Sequence, residues 1–133
     1  MNLPNKQLIN EWLEKASGDY EVAVGLYKSK RKKKIYYIIA FHCQQAIEKY
    51  LKALLICFGI NFPKTHDLLN LLDFVIKKDQ FLKAIEQQLL ILNPFAVGFR
   101  YPGEDIDKEE LKEAIKALKI LKPILLKRIK EFL

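Results

Sequence analysis

The stretch from Ile35 to Phe58 contains neither Gly nor Pro and spaces its apolar residues as an α-helix does. Set at about 100° per residue, Ala40, Cys43, Ala46, Ile47, Tyr50, Leu51, Ala53, Leu54, Cys57 and Phe58 cover well over half of its circumference. Gln45, Glu48, Lys49 and Lys52 gather as one compact stripe on the remainder. A helix apolar over so much of its surface is buried on several sides, which places it at the centre of a bundle. Its polar stripe then faces a groove, a partner or solvent.

The rest of the chain supplies the neighbours. From about Asn5 to Lys28, Leu8, Ile9, Trp12, Leu13, Ala16, Tyr20, Ala23, Val24 and Tyr27 recur at spacings of three and four and predict a first helix, slightly weakened by Gly18 and Gly25. Gly59 suits the C-terminal stop of the second helix. Pro63-Lys-Thr-His is a turn launching a third, with Thr65 the candidate N-cap and Asp67 in its first turn. Leu68, Leu69, Leu71, Leu72, Phe74 and Val75 carry that helix toward Lys78. A fourth is expected from about Asp79 to Leu92, ending at Asn93-Pro94.

An irregular aromatic stretch follows, Phe95 to Gly103, with Phe99-Arg100-Tyr101-Pro102 inside it. Asp107 and Glu110, three apart, form a capping box that opens the last helix. Leu111, Ala114, Ile115, Leu118, Leu121, Leu125, Ile129 and Phe132 make its apolar face, and Pro123 is placed to bend it. The expected fold is all-α, an antiparallel up-and-down bundle of four to five helices, with residues 1–133 as a single domain. Half of the residues are hydrophobic, enough for a substantial core.

No segment is apolar for the roughly 18 residues that a membrane span needs, and the N-terminus lacks a signal-peptide layout. A cytoplasmic location and no membrane contact are expected. Cys43 and Cys57 stand fourteen positions apart on one helix, about 21 Å. A disulfide needs Cα atoms within about 7 Å, so the two are expected to be free, packed in the apolar interior. The net charge of +7 is local, because Lys28, Lys30, Arg31, Lys32, Lys33 and Lys34 supply six of the positives. That run reads as a nucleic-acid phosphate patch or as a solvated loop, and Tyr36 and Tyr37 follow it at once. Lys and Glu carry most of the charge while Arg is rare, a bias shared with proteins of hot environments.

Most enzyme classes lack their signature here. There is no G-x-G-x-x-G, no Walker-type loop, no C-x-x-C and no H-E-x-x-H. The spacing of two histidines and two cysteines suits no metal site, and no cofactor is implied. What remains is a set of polar candidates. Gln45, Glu48, Lys49 and Lys52 read either as contacts for a nucleotide phosphate or a partner, Lys52 the cation and Glu48 orienting it, or as a solvated stripe with a Glu48–Lys52 pair. His66 suits a general base, or a structural imidazole bonded to Asp67 or a backbone carbonyl. His42 borders the apolar face and reads as a packed core histidine. Arg100 with Tyr101 can grip a phosphate and stack on a base, or Arg100 can close the bundle on Asp67 or Glu48.

Three segments in order, Phe41-His-Cys-Gln-Gln-Ala-Ile-Glu-Lys-Tyr-Leu-Lys-Ala-Leu-Leu55, Thr65-His-Asp-Leu68 and Arg100-Tyr-Pro102, resemble the prokaryotic HEPN domain. Trp12, Ala16, Asp19 and Ala23 of the first helix fit it too. The resemblance implies a bundle of four or five helices, frequently a homodimer, often encoded beside a minimal nucleotidyltransferase in a toxin–antitoxin-like pair. It also implies a nucleotide or RNA ligand, with Gln45, Glu48, Lys49, Lys52, His66, Asp67, Arg100 and Tyr101 as the binding set. Some members cleave RNA without metal, using an Arg and a His four to six residues apart. Arg100 is followed by Tyr-Pro-Gly-Glu-Asp-Ile-Asp with no His downstream, so a nuclease here would have to combine Arg100 with His66, or with His42, reaching the groove from elsewhere. The expected function is therefore a binding and interaction module, with a metal-independent ribonuclease and a structural homodimer without ligand as the alternatives.

Overall fold

The computed structural model of the chain describes residues 5–30 and 35–133. Its elements are α1 (Lys6–Lys28), α2 (Tyr36–Cys57), α3 (Leu68–Val75), a 3-10 turn (Gln80–Ile85), α4 (Glu86–Leu92), a second 3-10 turn (Asn93–Phe95) and α5 (Lys108–Lys130). The fold is an all-α helical bundle. Among the described residues no helix is long and apolar enough to cross a membrane.

α2 is the central helix, flanked by α1, α3 and α5. Its apolar residues are covered on nearly every side, with Ile47, Leu51, Leu54 and Leu55 fully buried. The covering elements belong to the same chain, so the burial of this helix needs no second copy. α1 seats Ile9, Ala16 and Ala23, seven positions apart, against α2. Two of those three are alanines, which lets the backbones approach closely. α1 runs antiparallel to α2, because Trp12 meets Lys52 while Asp19 meets His42.

Local chemistry explains the boundaries. Asn5 caps α1, its Oδ1 accepting from Leu8 N at 3.1 Å. α2 stops at Gly59, whose φ of +69° is a left-handed turn, and Ile60 N donates back to Leu55 O at 3.0 Å. Residues 59–66 then climb back beside α2 until the carbonyl of His66 accepts from Gln44 Nε2. That return carries His66 about 15–20 Å along the helix axis from the end of α2.

Asp67, not Thr65, is the N-cap of α3, accepting from Leu69 N at 2.9 Å and Asn70 N at 3.3 Å. Thr65 Oγ1 instead accepts from Asp67 N, and so holds the capping residue itself. Asn93 then ties the start of α3 to the end of α4 by accepting from Leu68 N and donating to Asp67 Oδ1. Asp67→Ala is expected to lower stability by about 1–2 kcal/mol in a urea titration. A loss near zero would mean that Asn93 alone holds this corner.

The segment Asp79–Leu92 is not one helix, as its spacing predicts, but a 3-10 turn followed by α4. Leu82 and Ile85 are buried at a spacing of three, which a 3-10 repeat satisfies as well as an α-helix does. Asp79 makes no cap bond because its carboxylate is engaged by Arg128 of α5 at 3.3 Å. α5 opens with both halves of the Asp107–Glu110 capping box and continues through an exposed Pro123.

Both cysteines are buried and free. Burial pushes the Cys43 thiol up to about 12 and the Cys57 thiol up to about 11. The thiolate is the reactive form, so a chromogenic disulfide reagent at pH 8 should find no fast thiol in the native protein. Both thiols should react once guanidinium unfolds the chain.

Candidate functional site

The polar stripe of α2 does not face open solvent. α1 and His66 close over it, leaving Glu48 3% and Lys52 7% exposed. Glu48 and Lys52 form the expected pair, Nζ to Oε2 at 3.1 Å, but as a buried one rather than as part of a solvated surface. Lys52 Nζ also lies 5.7 Å from the ring centre of Trp12.

Glu48 is the hub. Its carboxylate accepts from Lys52, from Gln44 Nε2 at 3.3 Å and from His66 Nδ1 at 3.0 and 3.1 Å. Three donors on one buried carboxylate satisfy it as an anion. His66 therefore bonds neither Asp67 nor a carbonyl through its ring, because the loop preceding α3 delivers it to Glu48 instead. In a neutral ring whose Nδ1–H is held by Glu48, the proton-free nitrogen is Nε2, and the His66 side chain is 70% exposed. The arrangement is a carboxylate-oriented imidazole, which can accept a hydrogen bond or a proton from a ligand.

Nearly two turns of α2 toward its N-terminus, at His42, the same design recurs. Asp19 of α1 bridges His42 Nδ1 at 2.8 Å and the ammonium of Lys49. His42 is thus not a packed core histidine but a half-buried ring anchored to a carboxylate across the helix pair. Asp19 and Gln44 were not among the sequence-derived site residues. Asp19 had left a signal only in the resemblance of the first helix, and Gln44 as a polar residue between the buried positions Cys43 and Ala46–Ile47.

These side chains line a groove of about 450 Å³ between α1 and α2. Leu8, Glu11, Trp12 and Lys15 form one wall, and Gln45, Glu48, Lys49, Lys52 and His66 the other. Such a volume accommodates a small planar ligand. Of the sequence-derived set, five residues meet here and three do not. Asp67 is committed to capping α3. Arg100 and Tyr101 lie on the connector before α5, which rests on α2 where Gly98 leaves only 3.3 Å between a hypothetical Cβ and the ring of Phe41. Arg100 makes no ion pair with Asp67 or Glu48, and Tyr101 is exposed with its ring edge-on to Phe99. Lys30 is exposed, while Arg31, Lys32, Lys33 and Lys34 lie outside the described residues.

The family model for the HEPN domain matches residues 9–129. No curated protein and no solved structure matches the chain.

Proposed function

The chain belongs to the HEPN domain family of nucleotide- and RNA-related modules, and from that premise we propose that it is a binding and interaction module whose α1–α2 groove takes a nucleotide or an RNA residue. The observation that carries this reading is the Glu48 hub, which spends a buried charge on orienting a largely exposed imidazole beside Trp12. A bundle needs no such anion for packing, since replacing a buried ion pair with apolar side chains is often neutral or stabilising.

The interaction half of the proposal rests on the connector. Phe99 and Tyr101 are exposed on either side of Arg100, the residue types that dominate protein interfaces. We assign this surface to a partner, either a second copy in a homodimer or a minimal nucleotidyltransferase in a toxin–antitoxin-like pair. Family membership is what supports both.

A second reading, metal-independent ribonuclease, is favoured by one feature, the free Nε2 of His66. Cleavage through a 2′-hydroxyl needs a base for that proton and an acid for the 5′-oxygen that leaves. No second imidazole lines the groove, because His42 is anchored at Asp19, and Arg100 is not among the lining residues. The binding reading therefore stands first. Incubating the protein with total RNA in excess EDTA separates the two. Intact RNA, with nucleotide retained in equilibrium dialysis by wild type and lost by His66→Ala, is the expected result. RNA degraded by wild type but not by His66→Ala would replace it with the ribonuclease.

A further inference from the structure

Glu48 decides which polar atoms the groove presents. A carboxylate donates nothing, so every group bonded to it must turn a hydrogen toward it. Gln44 turns its Nε2, which also donates to the His66 carbonyl at 2.9 Å, and so keeps Oε1 as an acceptor. Gln45 satisfies that acceptor with one hydrogen of its own Nε2 at 2.8 Å, which fixes the amide's orientation and leaves its carbonyl Oε1 as an acceptor for a ligand. His66, held through Nδ1–H, keeps Nε2 as an acceptor. Gln45 and His66 line one groove, and each offers it an acceptor for a reason that traces to the same buried anion.

The positive charge of the groove is mostly cancelled. Lys52 is bound by Glu48 and Lys49 by Asp19, which leaves Lys15 unpaired beside an unpaired Glu11. The start of α3 behind His66 offers no bare N–H groups for a phosphate, as helix N-termini often do. Leu68 N is bonded to Asn93, and Leu69 N and Asn70 N to Asp67. A triphosphate would find one cation and no amide cradle.

We propose that the groove selects an uncharged heterocycle carrying an exocyclic amino group, the chemistry of adenine, cytosine and guanine, over uracil, and that added phosphates contribute little. An amino group brings two hydrogens to two acceptors. Uracil brings one hydrogen, N3–H, between two carbonyls, so it satisfies at most one of the two acceptors and sets lone pairs against the other. The ring itself has Trp12 and Leu8 for apolar contact. A free nucleoside and a base within a single strand share this chemistry. The inference rests on the nucleotide-binding reading and names what that site takes.

Trp12 is the chain's single tryptophan and lines the groove, so its fluorescence reports occupancy. The protein is titrated with adenosine, cytidine, guanosine, uridine and ATP, each repeated by equilibrium dialysis, and then with oligoadenylate and oligouridylate. The amino-bearing nucleosides should bind at least about tenfold more tightly than uridine, with ATP no tighter than adenosine. Gln45→Leu should collapse the preference for cytidine over uridine while its thermal melt stays that of wild type. Oligoadenylate exceeding both adenosine and oligouridylate identifies the base as part of a strand, and equality with adenosine identifies the free nucleoside. Uridine bound as tightly as cytidine, or ATP bound far more tightly than adenosine, overturns the inference and leaves nucleotide binding in place. No binding of any compound by either method removes both.

Discussion

Glu48→Ala should cost the protein about 3–5 kcal/mol of unfolding free energy, measured in guanidinium with the m-value unchanged. The carboxylate is 3% exposed and is the acceptor for Lys52, Gln44 and His66. Removing it strands the Lys52 ammonium, itself 7% exposed, without its carboxylate and leaves a cavity beside it. The double variant Glu48→Leu, Lys52→Met should recover most of the loss, because an apolar pair of similar volume needs no desolvated charge. It should also abolish ligand binding, since nothing then orients His66. A single variant losing less than about 1 kcal/mol, the range of an exposed ion pair, would mean that the hub opens to water in solution.

The second large effect lies in the same helix on its apolar side. Leu54→Ala removes a fully buried side chain from the centre of the bundle and should cost about 2–5 kcal/mol. Phe81→Ala is the matched contrast. Phe81 is a larger apolar residue, yet it is 83% exposed on the 3-10 turn, and its truncation should change stability by no more than about 0.5 kcal/mol. Thermal unfolding of the two variants side by side tests whether α2 carries the core. Equal losses would put Phe81 in a contact that the bundle does not describe.

Elements governed by neighbours in sequence were legible from it. The Asp107–Glu110 capping box, the stop at Gly59 and the apolar spacing of α1 and α5 each depend on residues within a few positions of one another. The 3-10 turn was not, because the pattern of Leu82 and Ile85 fits two helix types and the long-range Asp79–Arg128 pair is invisible locally. The same division runs through the site. The stripe Gln45, Glu48, Lys49 and Lys52 was readable from helical periodicity, and its burial was not. That burial comes from α1 and from the return of residues 59–66, which bring Trp12 and His66 from 40 and 18 positions away to Lys52 and Glu48 respectively. Asp19 is the clearest omission, since its partners His42 and Lys49 lie on another helix and leave no mark in its own surroundings.

α1 is joined to the bundle unevenly. It lies along α2 through Ile9, Ala16 and Ala23 and touches α5 only lightly. Because it docks almost wholly on one neighbour, α1 should come away as a single opening unit, before global unfolding. One wall of the groove leaves with it. Native-state amide exchange would then record the ligand indirectly, through α1 rather than at the contacts themselves. A compound at a hundred times its dissociation constant, binding only the closed form, slows that opening by about 2.7 kcal/mol. In this chain the helix that docks on a single neighbour is thereby the one whose docking a ligand would govern.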